Sequence, residues 1–180
     1  CHPHPMFGGD MDNPVVKAIC LEACSSQFIC LRFNFRGVGE SEGTFDRGVG
    51  EQHDLQSALR LLKNWPAADR NRVGVVGYSF GASVILDSYE NCKSVQAFAL
   101  IAPSISSVKN TSITNDKRPS MFITGQRDKI SPPIILKQEL DSSSSGTKMF
   151  EIPHADHGLA GAESVVAKKV IGFLKDTIIR

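Results

Sequence analysis

Arg72-Val73-Gly74-Val75-Val76-Gly77-Tyr78-Ser79-Phe80-Gly81-Ala82-Ser83-Val84-Ile85-Leu86 is the stretch that decides how this chain folds. Its first part is a short, almost continuously apolar run, the pattern of a strand covered on both faces. The part from Ala82 onward is compatible with a helix. Between them, Gly77-Tyr78-Ser79-Phe80-Gly81 must turn the backbone sharply, and the turn lifts Ser79 out of the sheet. Such a turn brings neighbouring backbone so close that a Cβ at 77 or 81 would collide, which gives both glycines a steric reason. A serine presented at a strand-to-helix elbow is a candidate nucleophile. The pentapeptide alone is also compatible with a glycine-lined turn holding an ordinary serine, so the rest of the chain has to decide.

Working outward, apolar runs alternate with helical patterns, as in an α/β fold with a parallel sheet. Strands are expected at Phe28–Phe35, Arg72–Tyr78, Val95–Ala102, Ser120–Thr124 and Lys148–Ile152. The first expected helix has Asn13 as N-cap and Pro14 at its first position, with Val15, Val16, Ile19, Cys20 and Ala23 on one side. A second carries Leu55, Leu59 and Leu62 and stops at Trp65-Pro66, and a third follows Ser79. A fourth starts at Ser131-Pro132-Pro133 and carries Ile135, Leu136 and Leu140; the last presents Val166, Val170, Phe173 and Leu174. Asp141-Ser142-Ser143-Ser144-Ser145-Gly146 reads as a polar connecting loop. No repeat or linker is visible, so residues 1–180 form one domain, expected as a three-layer α/β/α sandwich.

Composition narrows the function classes. A formal net charge of +1 offers no electrostatic footprint for nucleic acid or an anionic membrane. No apolar run approaches the roughly 18 residues of a membrane span, and Cys1-His2-Pro3-His4-Pro5 does not read as a signal peptide. Cys1, Cys20, Cys24, Cys30 and Cys92 are odd in number and contain no CxxC, which fits reduced thiols in a cytoplasmic compartment. Cys20 and Cys24, four residues apart on a helix, read as small core-facing residues rather than metal ligands.

A hydroxyl at its free pKa is a weak nucleophile, so Ser79 needs a base and the base needs an orienting acid. The acid candidate is Asp128, just after the strand Ser120–Thr124, flanked by Arg127 and Lys129, which favour its ionised form. The base candidates are His154 and His157 in Ile152-Pro153-His154-Ala155-Asp156-His157-Gly158, and His157, in the loop proper, is preferred. Asp156 ranks below Asp128 because adjacent side chains rarely meet productively. The oxyanion of a tetrahedral intermediate needs two donors. One is the backbone N–H of Phe80 at a helix N-terminus. The other is expected from His2-Pro3-His4-Pro5-Met6-Phe7-Gly8-Gly9, where Pro3 and Pro5 have no N–H and the donor between them is His4. A His2/His4 metal site lacks further ligands. Asn34-Phe35-Arg36-Gly37-Val38-Gly39-Glu40-Ser41-Glu42-Gly43 has neither P-loop nor dinucleotide order and reads as a structural turn, with Arg36 in an ion pair or at the pocket rim. His53-Asp54 opens a helix and reads as structural. Tyr78, Arg36, His2 and His154 are the pocket candidates.

With those residues placed, the chain resembles the α/β-hydrolase superfamily, and within it the small, lid-poor dienelactone-hydrolase-like serine hydrolases. The resemblance rests on His2-Pro3-His4-Pro5 with Gly8-Gly9, Met11-Asp12-Asn13, Arg32 to Gly39, Gly77–Gly81, Gly125–Asp128 and His157. It implies hydrolysis of an ester, thioester or amide through Ser79, His157 and Asp128, on a small-molecule acyl substrate, with no cofactor or metal. Such proteins carry further strands before the His-Pro run, one of them between the strand at 28–35 and the elbow strand. A longer parent chain, with that strand in place, is therefore expected. About 17 residues separate Ala102 from Ser120, too few for a helical cap, so an open site is expected. The alternatives are a non-catalytic binding or scaffold protein of the same fold, and a serine peptidase.

Overall fold

Four short apolar runs pair side by side into one parallel sheet, in the order β1 (Gly74–Tyr78), β2 (Ala97–Ile101), β3 (Ser120–Gly125) and β4 (Thr147–Ile152). The register sets Tyr78 beside Ile101, Ile101 beside Ile123 and Gly125 beside Ile152, so all four strands end at one edge of the sheet. That edge is where ligands bind in open α/β sheets. The structure, a computed structural model, describes residues 1–141 and 146–179; the expected loop at 141–146 falls largely on residues outside that range.

Alternation along the strands divides the core in two. Ala97, Ala99 and Ile101 face one side with Met121 and Ile123, and pack against α1 (Pro14–Ser25) and α6 (Glu163–Ile178). Phe98, Leu100 and Phe122 face the other, against α2 (Gly50–Lys63), α3 (Phe80–Asp87) and α5 (Pro133–Leu140). The chain is a three-layer α/β/α sandwich. Strand β2 is buried at every position, which explains its unbroken apolar run.

The helices follow their local signals. Asn13 Oδ1 accepts the Val15 N–H at 3.0 Å, satisfying one of the four orphan donors of α1, while Pro14 occupies the first helical position. Helix α6 buries Val166, Val170, Phe173 and Leu174 as one stripe. A further short helix, α4 (Ile105–Asn110), lies between β2 and β3, capped by Ser104 Oγ on the Ser107 N–H at 3.1 Å. At six residues it is no cap over the sheet edge.

Residues 28–35 depart from expectation. They form no ladder and belong to no helix or turn. An apolar cavity of about 150 Å³, lined in part by Ile29, Leu31, Phe33, Val73 and Val75, separates them from the edge of β1. No strand lies alongside them among the described residues to complete a ladder, and the amides of Phe28 and Phe35 donate instead to Ala23 O and His2 Nε2, each at 3.0 Å. What runs along that edge of β1 is Cys1, whose amino nitrogen donates to Val76 O at 2.7 Å and whose carbonyl accepts the Tyr78 N–H at 3.1 Å. Two smaller corrections concern cysteines and helix bounds. Cys24 is exposed and Cys20 only half-buried, because the core-facing stripe of α1 is Val15, Val16, Ile19 and Ala23. His53 and Asp54 lie inside α2 rather than at its start, since Gly50 begins that helix.

No helix among the described residues is long and apolar enough to cross a membrane.

Candidate active site

The elbow forms where β1 meets α3. Ser79 has φ 53° and ψ −112°, a conformation L-residues adopt only under constraint. Its N–H is held by Ile101 O at 2.7 Å, and its carbonyl accepts from Ser83 N at 3.0 Å. Both flanking glycines are needed for close approach. A Cβ on Gly77 would lie 2.6 Å from Ala82 N and Gly81 O, and one on Gly81 would lie 2.6 Å from Cys1 O. The second contact shows that the glycine also seats the Cys1–His2 backbone against the elbow.

Three side chains from three strand ends converge here. Ser79 Oγ lies 2.8 Å from His157 Nε2, and His157 Nδ1 lies 2.8 Å from Asp128 Oδ2. Asp128 is almost fully buried, and its other oxygen accepts the N–H groups of Ile130 and Ser131, each at 2.8 Å. Burial alone would push the Asp128 carboxyl up; the hydrogen bonds from His157 and from the Ser131 and Ile130 amides together outweigh it and hold the carboxyl below its usual range. An ionised acid at Nδ1 makes that nitrogen the N–H, which leaves Nε2 free to accept the serine proton. The Tyr78 hydroxyl fixes the other end of the histidine, donating to His157 O at 2.7 Å, and burial raises the phenol to about 12.

Opposite the serine lies the loop preceding α1. Pro5–Phe7 forms a single 3-10 turn, with the His4 carbonyl accepting from Phe7 N at 3.1 Å and Gly9 N at 3.0 Å. The His4 ring packs on Phe7, Phe45 and Phe80, each with centroids 5.0 Å apart, and its Nδ1 accepts the Met6 N–H at 3.2 Å. Phe80 opens α3, so its N–H has no partner within the helix. A cleft of about 850 Å³ extends from Ser79 and His157, walled by His4, Phe7, Phe45, Phe80 and Ile130.

Against this geometry a family model, that of the dienelactone hydrolase family, matches residues 45–169. The chain belongs to the dienelactone hydrolase family. It is similar to an uncharacterised Rickettsia prowazekii protein, 38% identical over 108 residues, which cover 59% of this chain and 44% of that protein. The chain thus spans under half the length of this relative. Among solved structures, an α/β serine hydrolase homologue from Coxiella burnetii is 30% identical with a TM-score of 0.83, covering 96% of this chain and 81% of its own. A putative α/β hydrolase from Agrobacterium tumefaciens is also 30% identical, with a TM-score of 0.80 and coverage of 96% and 84%. An α/β serine hydrolase without a lid from Xanthomonas campestris is 28% identical, with a TM-score of 0.78 and coverage of 98% and 77%.

Of the other residues singled out in the sequence of this family member, several lie outside the cleft. His2 is fully buried: Nδ1 donates to Pro3 O at 2.7 Å and Nε2 accepts the Phe35 N–H at 3.0 Å, so the ring buttresses the loop instead of lining the pocket. Its partners fix the neutral tautomer. Arg36 grips Asp54 through Nη2 at 2.9 Å and Nε at 3.1 Å, pinning the turn after residue 35 to α2. His154 is exposed, with its N–H on Gln126 Oε1 at 3.0 Å. Asp156 caps its own turn through the Gly158 N–H at 2.9 Å.

The sequence reading missed Phe45, Arg47, Ser83, Asp87, Ser104 and Ser107, all of which line the cleft. Phe45 and Arg47 are set by Glu51, a fully buried carboxylate whose two oxygens accept Asp46 N at 2.8 Å and Gly48 N at 2.7 Å. An acidic residue in a helix's first turn signals only a favourable dipole; nothing local reveals that it also folds the preceding loop.

His2 gives a stability prediction. Burial lowers its pKa from 6.5, so the fold requires the neutral ring. The stability it contributes is present above about pH 6.5, the unfolded value, and is lost as pH falls towards the lower folded value. His2→Leu leaves the Phe35 N–H unpaired, which is expected to cost about 1–3 kcal/mol at pH 7.5 in urea unfolding. The penalty should shrink as pH falls below about 6.5. A penalty that stays constant from pH 7.5 to 5 would show that the ring is not held neutral.

Proposed function

We propose that this chain is the catalytic domain of a serine hydrolase that cleaves a carboxylic ester, thioester or amide through an acyl-enzyme. Ser79 attacks the carbonyl as His157 Nε2 takes its proton, and the imidazolium is stabilised by Asp128. The N–H groups of Phe80 and His4 hold the oxyanion. Collapse of the tetrahedral intermediate expels the leaving group, which receives the proton from His157, and water repeats the sequence on the acyl-enzyme. The observation that carries this reading is the unbroken relay of 2.8 Å from Ser79 to His157 and 2.8 Å from His157 to Asp128.

The cleft supports a choice of substrate size. Its mouth is rimmed by exposed apolar side chains, Phe7 at 87% and Ile130 at 60% of full exposure. The lid-free Xanthomonas campestris structure shares the architecture. Small or protruding acyl groups fit such a site better than a long chain that must be enclosed. The test is a fluorophosphonate probe on the full-length protein, read by peptide mapping. The expected adduct sits on Ser79, and pre-denatured protein takes none. A folded sample that stays unlabelled beside a labelled control hydrolase sinks the mechanism.

A further inference from the structure

A pair of thiols outside the candidate site has no part in this chemistry. Cys20 lies on α1, Cys30 on the segment 28–35, and Cys30 Sγ donates to Cys20 Sγ across 3.0 Å. That gap exceeds an S–S bond, about 2.05 Å, by only about 1 Å. Both thiols are free, Cys30 exposed and Cys20 half-buried. The two are also differentiated. The hydrogen bond from Cys30 is the main reason the Cys20 thiol is lowered to about 7; burial opposes it and the Arg32 guanidinium adds to it. The same bond, with burial, pushes the Cys30 thiol up, since it is the donor. An acidified, partly accessible thiol beside a second thiol is the arrangement in which oxidation is selective.

We propose that Cys20 and Cys30 are a peroxide-sensitive modification site that closes to a reversible disulfide, stapling α1 to segment 28–35. The Cys20 thiolate attacks one oxygen of a hydroperoxide; the O–O bond breaks, and the departing oxygen leaves as water or alcohol after taking a proton. Cys20 is then a sulfenic acid. The Cys30 sulfur attacks that sulfur, the S–O bond breaks, and the hydroxyl leaves as water with the Cys30 proton. The two thiols have lost two electrons and the peroxide has gained them. A dithiol reductant returns both thiols by exchange. Segment 28–35 ends at Phe35, whose N–H is held by His2, and α1 begins just past the His4 loop. The staple therefore ties together the two supports on which that loop rests.

Cys24 is the competitor, because it is exposed and four residues from Cys20. Trypsin cuts after Lys17 and Arg32 and releases Cys20, Cys24 and Cys30 on one peptide. Cys24→Ser in the otherwise intact chain leaves only the proposed pair on it. After hydrogen peroxide treatment of the folded variant, that peptide should be lighter by two hydrogens and refuse iodoacetamide, and dithiothreitol should restore two alkylatable thiols. Adding Cys20→Ser or Cys30→Ser should abolish the mass loss. In the wild-type chain, cleavage after Glu22 and Phe28 should show Cys20 joined to Cys30 with Cys24 still alkylatable. Bridging should also slow at least tenfold in urea, where the fold no longer holds the sulfurs together. The proposal fails if both thiols survive peroxide in folded protein, if Cys24 is the bridged partner in the wild type, or if urea leaves the rate unchanged. None of these readouts depends on hydrolase activity.

Discussion

Ser79→Ala is expected to abolish ester hydrolysis, lowering kcat about 10⁴- to 10⁶-fold while leaving the fold intact. The large effect follows from the relay: without Oγ, His157 Nε2 has no proton to take, and no acyl-enzyme can form. What remains is catalysis from the oxyanion donors and binding, on the order of 10³–10⁴ over water. The fold should survive because serine and alanine both carry a Cβ, so the strained φ of 53° costs the same in each. The Ser79 amide and carbonyl, bonded to Ile101 and Ser83, are unchanged. The variant should keep its circular dichroism and melting temperature and lose the fluorophosphonate adduct. A variant that retains a tenth of wild-type kcat on an activated acyl ester would remove Ser79 from the mechanism. So would an adduct that persists at another residue.

Why the meeting of Ser79, His157 and Asp128 could be expected from the sequence is itself physical. Each follows a short apolar run, and four of the five runs became strands of one parallel sheet whose ends share an edge. Side chains placed one turn beyond such ends meet whatever the intervening sequence does. Burial of β2 and β3 on both faces made those runs visible, while β4, buried only at Ile152, shows through its short Met149-Phe150 and Ile152 pattern. Residues 28–35 show the limit: their apolar side chains say nothing about whether a neighbour lies alongside to complete a ladder. The pocket walls were illegible for a related reason. Phe45 and Arg47 reach the cleft because Glu51 folds their loop through two amide bonds, and His2 leaves it because Phe35, 33 residues away, offers an N–H. Both outcomes depend on contacts between segments whose spacing carries no period. Cys20 and Cys30 belong to the same class, since only the packing of α1 against segment 28–35 brings the sulfurs to 3.0 Å.

Asp128→Asn is expected to lower kcat about 10⁴-fold with little change in KM. The reason lies in how the carboxylate is held. Its Oδ1 accepts from two main-chain donors, Ile130 N and Ser131 N, at 2.8 Å each. An asparagine at 128 must keep its carbonyl oxygen there, because turning the amide over would point N–H against N–H. The side-chain NH₂ is therefore forced towards His157, where Oδ2 stood at 2.8 Å from Nδ1. A donor in that place makes Nδ1 the acceptor and puts the imidazole proton on Nε2, facing Ser79 Oγ. The base is then present, in position and in the wrong tautomer. Substrate contacts do not change, so the loss falls on kcat. A second signature separates this from simple damage to the loop. In the wild type the Asp128 carboxyl is held below its usual range, so the stability it contributes is complete above the ordinary carboxylate pKa and is lost as pH falls through the lower folded value. Urea unfolding of the variant should lack that acid-sensitive portion, giving a shallower fall in stability below about pH 4 than the wild type. Equal slopes together with a kcat loss under tenfold would mean that His157 is oriented by something other than Asp128. Tyr78, which holds the His157 carbonyl at 2.7 Å, would then be the next residue to replace.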